Sequence, residues 1–457
     1  MKCKFIILLI ALVSCSYNNS QSENNITISV NVKKVPEMGF VISYLRGAMK
    51  SVEFNTQGHG ECVIEDMDAA YLIFHNGFSE QKMIYAEKGD HIQLEFDGES
   101  MAKTLKMTGV RQPIADYLAK VNITWPNEKD FTLEIDEFVI KLKERIIENQ
   151  KLLDSCATNL ATVSDKFVKI ERNRIKYMLG LSLLDYPRAH AWSKDGYKPD
   201  ENYYSALVNW TGEDKDLLCL TEYRTIMSEV PAFIMSHRET IRTPYEKVMK
   251  QMEYINSNYK DEQVKQTLLT ILACDYTKEN GILQSKELDS FIRQHVTNKD
   301  LSSQYQKIYN SWAIVSPGQK APDFKAVDTT GKEYSLKDFK GKYVCLYFWE
   351  NISPCVTEFA PLKTLRPLFE EKNVALVNLF IDNNQEAWKQ SIQDEEIQQG
   401  THLFLGRKKN ILQMYHYNSS NMYQFVLIDP DGKIVKLNIP NPSSGKMGDY
   451  FKTTIQN

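Results

Sequence analysis

The sequence has no excess of basic charge, no long apolar run beyond its first fifteen residues, no C-x-x-C pair and no histidines at metal-ligand spacing. Each absence excludes a class. Lys and Arg number 55 against 59 Asp and Glu, a net charge of −4 over 457 residues. Binding to a phosphate backbone needs clustered cations, so no nucleic-acid partner is expected. Spanning a bilayer takes about 20 apolar residues, and no later stretch supplies them. The eight histidines form no H-E-x-x-H or comparable pair, so no metal site is expected, and nothing points to a cofactor. The cysteine count, eight, is even, yet the spacing is wide and predicts no disulfide within the folded body. No 34-residue repeat is evident. What remains is an ordinary globular composition, 42% hydrophobic and 25% charged, with length for about three domains.

The chain opens on Lys2 and Lys4, followed by an apolar run from Phe5 to Val13, the pattern of a signal peptide over residues 1–14. The run closes on Leu12-Val13-Ser14-Cys15, which resembles the lipobox of bacterial lipoproteins. That resemblance implies cleavage before Cys15 and diacylation of its sulfur. Two acyl chains hold a protein stably on a membrane, each buried CH2 contributing about 0.8 kcal/mol. Residues 15–25 are polar and read as a lipidated tether. Ser16 after the anchor and the lack of an acidic run after it, by analogy with sorting rules, imply the outer membrane, facing the periplasm. The alternative is a plain secretory signal with a chance cysteine.

The rest predicts a multidomain α+β chain. In residues 26–122, Ile26, Ile28, Val30 and Val32 alternate with polar residues, as do Ile92, Leu94 and Phe96. Ala70–Phe74 and Lys82–Ala86 are also strand-like, and a short helix closes the segment near Ile114–Val121. With the segment Tyr85-Ala86-Glu87-Lys88-Gly89-Asp90, this β-rich stretch resembles the N-terminal domain of unknown function that precedes thioredoxin-like domains in many bacterial envelope lipoproteins. Residues 123–312 read as a central helical region: Ile135, Phe138, Val139, Leu142 and Ile146 share one face, as do Val163, Phe167 and Ile170, and Val264, Leu268 and Ile271. Pro187 and Gly196–Pro199 are expected breaks. Cys62, Cys156, Cys219 and Cys274 are read as small buried side chains.

In residues 313–457 an apolar run, Tyr343–Trp349, predicts a buried strand. Pro354-Cys355 opens a helix with Leu362, Leu365 and Phe369 on its inner face. A second strand, Val374–Ile381, completes a βαβ unit with a parallel pair. Trp388 lies in the next helix, and Phe425–Ile428 precedes the Asp429-Pro430-Asp431-Gly432 turn. Together with Gly341-Lys342 before the first strand, this order of landmarks resembles the TlpA-type thioredoxin-like family, or redoxins, of the alkyl hydroperoxide reductase/thiol-specific antioxidant superfamily. The resemblance implies an α/β thioredoxin-like fold and thiol-disulfide oxidoreductase chemistry from Trp-Cys-x-x-Cys. Here the segment is Trp349-Glu350-Asn351-Ile352-Ser353-Pro354-Cys355. Glu358, Leu362 and Leu365 stand at the offsets the family shows after its second cysteine. Cys355 therefore falls in the resolving position and Ile352 in the attacking one. The family's cis-proline position holds Tyr423. One cysteine cannot cycle through an internal disulfide, and Cys345 lies on the order of 13 Å down the strand from Trp349.

Three readings follow. In the first, the redox centre is degenerate, and Trp349, Ile352, Pro354 and Tyr423 line a groove that binds an envelope protein or peptide. Trp349 and Tyr423 could equally be core packing. In the second, Cys355 is a lone catalytic thiol that forms mixed disulfides. In the third, Ser353–Glu358, which also resembles a peroxiredoxin segment, is peroxidatic; the Thr/Ser and Pro of that motif are replaced by Ile352 and Phe348, and no arginine follows Arg407. Glu350 and Glu358 are expected to be solvated.

Overall fold

The computed structural model describes residues 25–35, 40–44, 48–65, 67–75, 80–283, 285–417 and 424–455. The signal segment, Cys15 and Tyr423 lie outside the described residues. The chain divides into two compact units, one ending at Leu268 and the other starting at Leu269.

The N-terminal unit begins with eight strands: β1 (Ile26–Lys33), β2 (Phe40–Tyr44), β3 (Ala48–Phe54), β4 (His59–Ile64), β5 (Ala69–His75), β6 (Gln81–Glu87), β7 (His91–Asp97) and β8 (Lys106–Thr108). They pair in the order β6-β5-β2-β3-β4-β1-β7-β8. Every pairing is antiparallel except β1 with β7. Alternation sends Ile26, Ile28 and Val30 inward, where they meet Ile92, Leu94 and a cluster of Phe40, Phe74 and Phe96. Phe40 stacks on Phe74 at 5.3 Å and meets Phe96 edge-on at 4.7 Å.

Helices follow at 112–118, 135–161, 165–180, 182–191, 201–208, 221–238 and 244–258. Two charged clusters tie them to the sheet. Glu171, with no exposed surface, accepts hydrogen bonds from the Tyr71 and Tyr117 hydroxyls and from Arg174, whose Nε and Nη2 lie 2.7 and 2.8 Å away. Arg111 grips both oxygens of Asp90 at 2.8 and 3.1 Å, reaches Glu87 at 2.9 Å, and donates to the Val163 carbonyl at 3.0 Å. Ser164, which caps the 165–180 helix, also donates to Glu87.

Pro187 does not break the chain as expected: it lies inside the helix Ser182–Ala191, and Pro231 lies inside Thr221–Arg238. A proline leaves the carbonyl four residues back without its N–H partner. Here tyrosines take that place: Tyr203 Oη donates to Leu183 O at 3.0 Å, and Tyr259 Oη to Met227 O at 2.6 Å. Val163 lies between helices rather than on a helical face, and Ile271 is only half-buried.

In the C-terminal unit, helices at 286–295 and 299–313 precede seven strands: β9 (Ala326–Val327), β10 (Glu333–Tyr334), β11 (Tyr343–Trp349), β12 (Val374–Phe380), β13 (Thr401–Phe404), β14 (Gln424–Ile428) and β15 (Ile434–Lys436). Their order is β10-β9-β13-β12-β11-β14-β15. β11, β12 and β13 run parallel, with β14 antiparallel to β11. Strand periodicity gives the sheet two cores. Leu346, Phe348, Val377 and Leu379 face one side; Cys345, Tyr347, Trp349 and Phe380 face the other, beneath the helix Phe359–Glu371. Among the described residues no helix is long and apolar enough to cross a membrane.

Candidate functional site

β11 is a continuous apolar run and ends buried at Trp349, where the Trp349 carbonyl accepts the Ile381 N–H at 3.1 Å. The chain then turns outward. Ile352 is extended and starts a single helical turn, Ser353–Val356, with Pro354 in its first positions. Proline suits that place, where an N–H has no helical partner. The Ile352 carbonyl accepts the N–H groups of Cys355 and Val356, both at 3.0 Å.

The turn sorts its side chains. Ile352 is 39% exposed and Pro354 is exposed, whereas Cys355 and Trp349 are each 0% exposed. Trp349 packs edge-on against Phe359 and Phe380, both at 5.0 Å. The Tyr347 hydroxyl donates to the Cys355 carbonyl at 2.7 Å, and its ring stacks on Phe425 at 4.1 Å. Ile352 and Pro354 thus share the surface, while Cys355, Trp349 and Tyr347 are sealed below it.

Burial pushes the Cys355 thiol up to about 11, and the Glu350 and Glu358 carboxylates push the same way. Hydrogen bonds from the Glu350 backbone and the Tyr347 hydroxyl pull against that rise without cancelling it. A thiol at that value is roughly one part in ten thousand thiolate at pH 7, and the thiolate is the nucleophile. Cys345 has no exposed surface, and burial alone drives its thiol far up. Cys62, Cys156, Cys219, Cys274, Cys345 and Cys355 are all free thiols. Cys62 and Cys274 are buried, as read from the sequence, but Cys156 and Cys219 are only partly so.

The expectation for Glu358 is corrected. It is 2% exposed, because it sits where the helical turn gives way to the helix Phe359–Glu371 and faces the turn at 442–444. Asn441 Nδ2 donates to it at 2.8 Å, the Ser443 N–H at 2.9 Å and Ser443 Oγ at 2.6 Å. Glu350 is partly exposed and lies 3.7 Å from Arg407 Nη2, which is 3.6 Å from Asp382. Burial raises the Tyr417 hydroxyl, Glu350 and Cys355 add to the rise, and Arg407 opposes it. Arg407 and Tyr417 were not legible as site residues, since they come from chain far from the Pro-Cys segment and carry no spacing signal.

On the same face of the sheet, His402 is cross-strand from Asn378, and its Nε2 lies 3.1 Å from the Gln399 carbonyl. Burial lowers it to about 4, so it is neutral at pH 7. Among the described residues no cluster of His, Cys, Asp and Glu could hold a metal ion.

The sequence model of the AhpC/TSA family matches residues 317–437. Over 149 residues, 32% of this chain, the sequence is 30% identical to the thiol-disulfide oxidoreductase ResA of Bacillus anthracis, covering 84% of that protein. Over 70 residues, 15% of this chain, it is 41% identical to a putative peroxiredoxin bcp of Helicobacter pylori (strain J99), covering 46% of it. Among solved structures, the thioredoxin domain of a thiol-disulfide oxidoreductase from Bacteroides vulgatus is 27% identical and covers 31% of this chain and 99% of that one, with a TM-score of 0.28.

Proposed function

From a chain that belongs to the thioredoxin-like thiol-disulfide oxidoreductase family through its C-terminal domain, we propose a binding module whose redox centre is degenerate. The observation that carries this reading is the pairing of an exposed Ile352 with a sealed Cys355. Ile352 stands in the attacking position and offers an apolar side chain, while the one nearby thiol is buried and protonated. Ile352 and Pro354, with Glu350 two residues before Ile352 and paired to Arg407, suit capture of an envelope protein or peptide by an apolar contact flanked by charges.

The lipobox-like segment before Cys15 supports anchoring of the protein by lipid on the outer membrane, facing the periplasm. Metabolic labelling with an alkyne fatty acid tests this, and Cys15→Ala abolishes the label if the reading is right.

The test of the binding-module reading is alkylation of the full-length protein by iodoacetamide from pH 6 to 10, mapped by peptide mass spectrometry. Cys355 is expected to react only above about pH 8.5 or on unfolding. A reactive Cys355 with an apparent pKa near 7 would refute it. The result would instead assign the domain a lone-thiol oxidoreductase activity, for which the Tyr347 and Glu350 hydrogen bonds are the supporting contacts. Peroxide consumption by the same preparation tests the peroxidase reading. A sealed thiol pushed up by burial and by the Glu350 and Glu358 carboxylates argues against it.

A further inference from the structure

The long helix Ile135–Ala161 has two apolar stripes. One, with Phe138, Leu142 and Leu153, is buried in the N-terminal unit. The other is not used by the fold: Ile140 is 59% and Ile147 64% exposed. These residues line a groove of about 850 Å³ with Val139 and, from the facing side, Trp210. An apolar helical stripe left open to water is unusual in a chain that has no need of it for folding.

Two cations sit within the groove. Lys143 lies midway between Ile140 and Ile147, and Lys176 reaches it from the helix Asp165–Gly180. The Lys176 ammonium lies 5.5 Å from the Trp210 ring and 4.9 Å from that of Tyr177. It is half-buried, and burial lowers its pKa. Neither lysine belongs to any ion pair among the described residues. Asp136, at one end, is the lining's single carboxylate and pairs with neither. A half-buried cation without a counter-charge is unfavourable, and an anionic group entering the groove would relieve it.

We propose that this groove takes an amphipathic helix of another protein, laying apolar side chains on Ile140, Ile147 and Trp210 and acidic side chains against Lys143 and Lys176. Residues 139 to 147 span roughly 12 Å of helix, which two to three turns of a partner would cover. Apolar anchors at helical spacing give affinity in such docking, and the lysines give sign selectivity. This site is separate from the thioredoxin-like one and does not depend on the reading of Cys355.

The experiment uses the full chain and a fluorescent synthetic helix of about fifteen residues, with Leu at i, i+3, i+4 and i+7 and Glu flanking them. A counterpart carries Lys for each Glu. Anisotropy is expected to show saturable binding of the acidic peptide and at least about tenfold weaker binding of the basic one, a difference of 1.4 kcal/mol. Lys143→Glu with Lys176→Glu should invert that preference, and Ile147→Ser should weaken the acidic peptide about tenfold. Should the double variant fail to fold, Lys143→Glu alone, at an exposed position, must still weaken the acidic peptide severalfold. No saturation by about 1 mM, or equal binding of both peptides, overturns the proposal. So does self-association of the protein that is lost in Ile147→Ser, which would assign the groove to a second copy of this chain.

Discussion

The two prolines inside helices make a quantitative prediction. Pro231 cannot donate to Met227 O, and the Tyr259 hydroxyl does so at 2.6 Å. Tyr259 is 7% exposed, so its removal would leave that carbonyl without water as well. Tyr259→Phe should then cost about 1–3 kcal/mol, the penalty of a stranded buried acceptor. If the tyrosine is standing in for the missing N–H, Pro231→Ala restores the helical donor. The same Tyr259→Phe change made in that background should cost well under about 1 kcal/mol, an interaction energy of roughly 1–2 kcal/mol between the two sites. A chain of two units does not promise one unfolding step, so the readout is native-state hydrogen exchange in the peptides spanning Thr221–Arg238. Tyr203→Phe with Pro187→Ala repeats the cycle on Leu183 O. A loss below about 0.5 kcal/mol, or an equal loss with and without the proline, refutes the reasoning.

Three further outcomes are expected. Ile352→Cys places a thiol three residues before Cys355 across a turn whose hydrogen bond holds the backbones close, Cα atoms within about 7 Å; oxidation should form a disulfide between the two positions, read by mass, and the dithiol form, recycled by dithiothreitol, should speed insulin reduction where the parent does not. Glu358→Gln should destabilise the C-terminal unit by about 1–3 kcal/mol, read by native-state hydrogen exchange in Phe359–Glu371, since an amide cannot accept all three donors from Asn441 and Ser443. His402 is held at about 4 against 6.5 unfolded. The unfolded chain therefore binds the proton first, and stability falls as the pH drops from 6.5 to 4, by roughly 3 kcal/mol in all, with no effect above 6.5. His402→Phe should flatten that slope, read by native-state hydrogen exchange in the strands beside it.

The sequence was most readable where one physical signal dominated. Tyr343–Trp349 is uninterrupted and apolar because both faces of β11 are covered, and it matches the strand residue for residue. β1 and β7 were legible because one face is buried and the other wet, which writes a period of two. β2, β3 and β4 left no such trace: β2 is five residues long, and β4 begins exposed at His59. Pro187 misled because its compensation comes from Tyr203, a partner supplied by tertiary packing that local sequence does not encode. At the site, Cys355 and Ile352 were found by spacing. The burial of Glu358 was not, since it depends on a turn more than eighty residues away.

The charged clusters around Glu171 and Arg111 bear on how such a chain can be recombined. A crossover after residue 122 looks harmless along the sequence, since strands lie on one side and helices on the other. In three dimensions it would separate Tyr71 and Tyr117 from the carboxylate of Glu171, and Glu87 and Arg111 from Ser164 and Val163. Each half would inherit buried polar groups whose partners stayed with the other, a loss of several kcal/mol before any apolar contact is counted. The smallest heritable piece of this region is therefore the sheet together with the helices that hold Glu171 and Ser164, and a shuffled gene that respects the strand boundary alone would encode two misfits.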